Sequence, residues 1–368
     1  MKRISIAVLI LCACFVSVAW GEQSGCKTPT PWRQFHRSNM QRWNPCEKVL
    51  GVNNVGNLGL KWTRRTGDWV DSSPAVVNGV VYVGSQDNNV YALDASTGAK
   101  LWSYATNGPV LSSPAVVKGV VYVASLDGNV YALKASTGAL LWSNLTGSGY
   151  SLPTVANGVV YIGSDYNIYA LDANTGATLW SYGISAMGAP AVANGVVYVG
   201  STGVYALNAS TGALLWSAPV GPVIDSPAMA NGVVYVGSRD GNVYALDANT
   251  GAVLWSYGAG DVIASPAAAN GVVYVGAGSN FYALNARTGA LLWFYRGLET
   301  RSSAAVANGV VYVGSDDYFH NVYALNARTG ALLWLYGTGN KVTSSPVVAN
   351  GVLYVGSEDQ SVYAFGLK

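Results

Sequence analysis

Past its first seventy residues the chain alternates apolar and polar positions in short runs with a period of two. In the first such unit, Ser73 to Val77, Val80 to Gly84, Val90 to Leu93 and Lys100 to Tyr104 each read as a strand rich in valine, tyrosine and tryptophan. We call them A, B, C and D. Asn78-Gly79 joins A to B as a two-residue turn whose positive φ values match the twist of a hairpin. Asp94 to Gly98 turns the chain between C and D. No stretch of this part carries a helical period.

The unit recurs to the end of the chain. Its closing tryptophans are Trp62, Trp102, Trp142, Trp180, Trp216, Trp255, Trp293 and Trp334, and its A–B turns begin at Asn78, Lys118, Asn157, Asn194, Asn231, Asn270, Asn308 and Asn350. Eight repeats of about forty residues, each of four strands, predict an all-β fold: an eight-bladed β-propeller. The two series are offset. Trp62 has no A, B or C strand before it, and the last unit stops after strand C at Tyr363-Ala364-Phe365. The last blade is therefore expected to be closed by the N-terminal strand around Leu60 to Trp62, which removes exposed sheet edges.

The run Ala92-Leu93-Asp94-Ala95-Ser96-Thr97-Gly98-Ala99-Lys100-Leu101-Trp102 resembles the tryptophan-docking motif AxDxxTGxxxW of pyrroloquinoline quinone (PQQ)-like repeat propellers. The match recurs at Ala170 to Trp180 and Ala245 to Trp255; Asn208, Asn285 or Asn326, and once Lys134, replace the aspartate elsewhere. The resemblance covers residues 58 to 368. It implies the blade and says little of chemistry, because the family holds both PQQ-dependent alcohol dehydrogenases and the lipoprotein of the outer-membrane β-barrel assembly machinery.

Residues 1–21 read as a secretory signal, with basic Lys2 and Arg3, an apolar run from Ile4 to Trp20, and cleavage expected before Glu22. An uncleaved anchor, or lipidation at the lipobox-like Leu11-Cys12-Ala13-Cys14, is the alternative. A secreted or periplasmic protein, monomeric and without a transmembrane domain after cleavage, is expected. Loss of the signal takes Lys+Arg from 20 to 18 against 18 Asp+Glu, so the mature chain is near neutral. With no basic cluster along the sequence, nucleic acid and anionic membrane surfaces are not expected as partners. Cys26 and Cys46 remain, and in an oxidising compartment they suggest one disulfide. It would staple residues 22–57, an extension expected to pack on the edge or a face of the propeller. A cap over the channel mouth with His36 as a ligand is the other reading.

Strand direction puts the A–B and C–D turns on one face, which barely varies between units. The B–C loops and D–A connections share the other face and differ in almost every unit, as binding loops on a rigid scaffold do. Candidate binding residues at the channel mouth are Asp71, Tyr150, Asp225, Asp261, Glu299, Arg301 and Lys341. Asp71, Tyr150, Met187, Ile224, Ile263, Arg301 and Thr343 hold one equivalent position at the start of strand A and are expected to ring that mouth.

Catalysis has little to work with. The sequence has no Cys-Cys pair and no Cys-x-x-Cys-His haem site, and its only histidines are His36 and His320. Asp71, Asp225, Asp261 and Glu299, read as lying in blades one, four, five and six, show no metal-ligand spacing. The expected role is a non-catalytic platform that binds a protein, glycan or small ligand on the variable face, with no cofactor. The alternative is an oxidoreductase using PQQ and Ca²⁺, in which Asp71, Asp225 or Asp261 would ligate or act as base.

Overall fold

The computed structural model describes Cys26, residues 31–37, and residues 40–368 except Ser148 and Ile263. Its strands form eight sheets, seven of four strands and one of five, arranged as the blades of a propeller. Blade 1 is Ala75–Val77, Val80–Gly84, Asn89–Asp94 and Lys100–Ala105, and the later blades start at Ala115, Thr154, Ala191, Ala228, Ala267, Ala305 and Val347. A single 3₁₀ turn, Val55–Asn57, is the one helical element among the described residues. The A–B turns behave as their chemistry requires: Asn78 and Gly79 take φ of 52° and 77°.

Blade 8 closes as expected. Leu58–Arg65 pairs antiparallel with Ser361–Leu367, Leu58 opposite Leu367 and Arg65 opposite Ser361. In strand D the residue before the tryptophan is looped out of register. Trp102 faces Ala92 and Lys100 faces Leu93, leaving Leu101 as a β-bulge. The same shift recurs in every blade.

The core lies between blades. Val90 and Ala92 of blade 1 pack against Val121, Val123 and Leu133 of blade 2, all buried. Each of these valine and leucine side chains stabilises the fold by roughly 1.5–3 kcal/mol relative to exposure. Farther out, each tryptophan docks on the next blade. Trp62 Nε1 donates to Ala95 O at 3.0 Å, and its ring lies on Gly98 so closely that a Cβ there would sit 2.6 Å from Cε3. Trp102 repeats this with Ala135. Trp334 donates instead to Leu58 O, because blade 8 has no C–D turn of its own.

Toward the channel a second seam runs through serines. Ser226 N donates to Ser265 Oγ, Ser265 N to Ser303 Oγ, Ser303 N to Ser345 Oγ, Ser345 N to Ser73 Oγ and Ser73 N to Ser113 Oγ, at 2.9–3.0 Å. The girdle is interrupted at blades 3 and 4, where Leu152 and Ala189 hold the serine position, although Ala189 N still donates to Ser226 Oγ.

The N-terminal extension divides: residues 47–52 pack on the A–B turns of blades 7 and 8 on the constant face, whereas the part before them lies neither on the edge nor on a face. It runs inside the channel and bonds to the middle residue of strand A in seven of the eight blades, passing over blade 4. Trp32 exchanges both backbone bonds with Val76. Arg33 O accepts from Val116 N, and Gln34 Oε1 from Val155 N. Met40, Gln41 and Arg42 carbonyls accept from Met229, Ala268 and Val306. Asn44 Nδ2 donates to Val348 O. The innermost strand of a propeller has a free edge facing the channel, and this segment satisfies it. The Cys26–Cys46 disulfide holds its two ends together.

Candidate functional site

Each D–A connection enters its blade through a four-residue step, polar at its most regular in Asp71-Ser72-Ser73-Pro74 of blade 1 and Thr343-Ser344-Ser345-Pro346 of blade 8 and apolar in Met187-Gly188-Ala189-Pro190 of blade 4. In blades 1, 3, 7 and 8 the second residue is a serine tied into its own blade: Ser72 Oγ accepts from Gly84 N, Ser151 Oγ from Gly163 N, Ser302 Oγ from Gly314 N and Ser344 Oγ from Gly356 N. The third is the girdle serine in all blades but 3 and 4. Where both are fixed, as in blades 1, 7 and 8, the first residue is held at the rim of the channel.

These first residues surround one cavity of about 250 Å³ at the mouth on the variable face. Asp71, Tyr150, Met187, Ile224, Arg301 and Thr343 line it, as expected, and Leu111 supplies blade 2. Ile263 lies outside the described residues. Phe35 of the channel segment also lines the cavity, and beneath its ring, at 4.4 Å, lies the Arg42 guanidinium. Arg42 is fully buried and donates to the carbonyls of Ala304, Phe35 and Pro346. Burial pulls its pKa down to about 9.

The lining is two-sided. Blades 7, 8 and 1 give Arg301, Thr343 and Asp71; blades 2 to 5 give Leu111, Tyr150, Leu152, Met187 and Ile224. On the polar side the groups are already ordered. Asp71 accepts from Thr343 Oγ1 at 2.7 Å and from Gln86 Nε2 at 2.6 Å. Arg301 Nε lies 3.2 Å from Asp316 Oδ2. Burial pushes the nearby Glu358 carboxyl up, and the charges of Asp71 and Asp316 push it the same way.

Asp225 also lines the cavity. Its Oδ2 is buried and has no hydrogen-bond partner. Burial raises its pKa to about 7; Arg239 opposes the shift and Asp261 adds to it.

The remaining candidates are not gathered at the mouth. Asp261, Glu299 and Lys341 stand two residues before the rim position and do not line the cavity. They reach the neighbouring B–C loops through backbone carbonyls, Glu299 O accepting from Asp316 N and Lys341 O from Glu358 N. The blade assignment also shifts. A D–A connection belongs to the blade it enters, so Asp225, Asp261 and Glu299 serve blades 5, 6 and 7 rather than four, five and six, while Asp71 serves blade 1. Leu111 and Phe35 escaped sequence reasoning: Leu111 is an unremarked apolar residue at the equivalent position, and Phe35 has no repeat to place it. His36 is no ligand at the mouth. It is fully buried in the channel, and burial, reinforced by the Arg42 charge, lowers its pKa to about 3.

Among the described residues no group of three or more His, Cys, Asp or Glu side chains comes together as a metal site. A quinone with three carboxylates would find Asp71 and Asp225 in the wall and one lining cation, Arg301, already paired with Asp316. The residues present do not fit a PQQ–Ca²⁺ pair at this mouth.

Among known proteins, lupanine 17-hydroxylase [cytochrome c] of Pseudomonas sp. is 32% identical over 104 residues, which are 27% of this chain and 15% of that protein. The match thus spans well under two thirds of that curated relative. Among solved structures, quinohemoprotein alcohol dehydrogenase from Comamonas testosteroni superposes with a TM-score of 0.82 at 17% identity, over 94% of this chain and 81% of that one. BamB from Moraxella catarrhalis gives 0.70 at 21%, over 84% and 99%. At these identities the structural likeness is one of fold. No helix among the described residues is long and apolar enough to cross a membrane. The family model described as outer membrane protein assembly factor BamB matches residues 32–189, 164–305 and 296–368, and the chain belongs to that family.

Proposed function

We propose that the chain is a ligand-binding propeller of the periplasm or cell exterior, and that the channel mouth takes a small amphipathic molecule. One observation carries the reading. A position that repeats in every blade changes from polar in blades 7, 8 and 1 to apolar in blades 2 to 5, around a single cavity closed below by Phe35. Such a wall orients a ligand with one apolar end and one end that donates to Asp71 or accepts from Arg301. The order already present in Asp71, Thr343 and Gln86 lowers the cost of ordering them on binding.

The second reading is a quinone-dependent oxidoreductase, with Asp71, Asp225 or Asp261 as ligand or base. Named relatives and structural neighbours support it, and they favour it over a purely non-catalytic platform. The donor set at the mouth counts against it. The two readings part in one titration. Under the first, PQQ with Ca²⁺ leaves the melting temperature flat, while a panel of small polyols, amino alcohols and carboxylates contains a compound that raises it in wild type and not in Asp71→Asn or Arg301→Gln. Under the second, the melting temperature climbs with PQQ and Ca²⁺ concentration, as linkage requires.

A further inference from the structure

We propose that the constant face docks on an anionic lipid bilayer through the arc formed by blades 6, 7, 8, 1 and 2. The basic residues, dispersed in the sequence, are gathered there by the fold. Arg287 and Arg328 stand exposed in the C–D turns of blades 6 and 7. Lys48, Lys61 and Lys368 surround blade 8, all exposed. Lys100 in blade 1, then Lys118 and Lys134 in blade 2, complete the arc, also exposed.

Almost nothing opposes them. The C–D turn aspartate kept in blades 3 and 5 is replaced by Lys134, Asn285 and Asn326 in blades 2, 6 and 7. Asp94 is the one carboxylate side chain at the surface of the arc among the described residues. Glu47 is buried and accepts from Val49, Leu50 and Gly351 backbone N–H groups. Most other carboxylates, from Asp68 to Asp359, lie in the D–A connections and B–C loops. A blade's strands separate those loops from the constant face by about 20 Å. That exceeds the roughly 8 Å screening length at physiological salt, so a surface under the constant face meets mainly the cations.

The arc also presents apolar groups. Val49 is 51% exposed and lies over the blade 8 turn at Gly351; Val52 lies over Gly309 of blade 7. The bulged Leu101, Leu141 and Leu292 stand half exposed beside the C–D turns. Lysines around exposed aliphatic side chains suit the interface of an acidic bilayer, where charge and apolar burial add.

Flotation of the full chain with vesicles tests this. Partition into phosphatidylcholine mixed with phosphatidylglycerol is expected to exceed that into phosphatidylcholine alone by about tenfold or more at low salt. The excess falls with added salt. An apolar N-terminal segment binds both vesicle types alike and leaves the ratio unchanged. Lys100→Gln with Lys118→Gln and Lys134→Gln removes the excess, whereas Arg65→Gln with Arg239→Gln on the variable face keeps it. All five side chains are exposed, and unchanged melting temperatures exclude misfolding. Equal partition into the two vesicle types, or an excess that survives the triple substitution, overturns the proposal. Polyglutamate bound as tightly as the anionic vesicles also overturns it, in favour of an acidic protein partner.

Discussion

Ser345 and Ser73 stand 272 residues apart in sequence, yet the Ser345 backbone N–H donates to the Ser73 hydroxyl at 2.9 Å. This bond joins the last blade to the first on the channel side, where both residues are buried. Ser73→Ala leaves that N–H buried without an acceptor, which costs about 1–3 kcal/mol. Ser103→Ala, on an exposed part of strand D, should stay within about 0.5 kcal/mol. Urea midpoints of the two variants measure the difference; equal midpoints would remove the girdle from the account of closure.

Gly98 is constrained twice, by φ of +71° and by the Trp62 ring against it. Gly98→Ala should cost about 2 kcal/mol or more, from the left-handed backbone and the contact together. Trp62→Ala should cost about 3–5 kcal/mol through the lost packing. In the double variant the ring that met the new methyl is gone, so the combined loss should be smaller than the sum of the single losses. Additive losses in a double-mutant cycle would show that the ring does not press on Gly98.

The blades were legible because their determinants are local. Asn78-Gly79 sets its own turn, and Asp94 accepts from Ser96 and Thr97 beside it. The rim position was legible because it repeats; the step that ends in Pro74 at one end of the chain ends in Pro346 at the other. The channel segment was not, because Trp32, Arg33, Met40 and Arg42 are held by main-chain bonds to strands up to 264 residues away, and no pattern along residues 31–44 encodes them. Asp261, Glu299 and Lys341 misled for a geometric reason. Two residues earlier in an extended connection is far enough to miss the mouth.

The disulfide ties together the ends of the channel segment, so its loss should loosen that segment in the unfolded chain rather than remove any contact made by Trp32 or Arg42. Closing a loop with a sequence separation of 20 limits the unfolded ensemble by about 3 kcal/mol. Cys26→Ser with Cys46→Ser should lower stability by that order. The wild type under reductant should fall to the same value, and the double variant should not respond to reductant. A wild type indifferent to reductant would mean that the bond adds no stability.

Asp225 and His36 should give the stability curve two opposing slopes. Asp225 has its pKa raised from 3.8 to about 7 by burial, so the folded state holds a proton that the unfolded state has released, and stability falls as pH rises from about 4 to about 7. His36 has its pKa lowered from 6.5 to about 3 by burial and by Arg42. The unfolded state then holds the extra proton below pH 6.5, and stability falls as pH drops from 6.5 toward 3. Each slope is at most about 1.4 kcal/mol per pH unit. Between about pH 4 and 6.5 they oppose, and these two groups should nearly cancel in the wild type. Asp225→Asn should expose the His36 slope, with stability rising across that window. His36→Leu should expose the Asp225 slope, with stability falling across it. Urea midpoints at pH 4.5 and 6.5 for the three proteins check both signs. A variant with the wild-type pH dependence would mean that the group it removes titrates alike in the folded and unfolded chain.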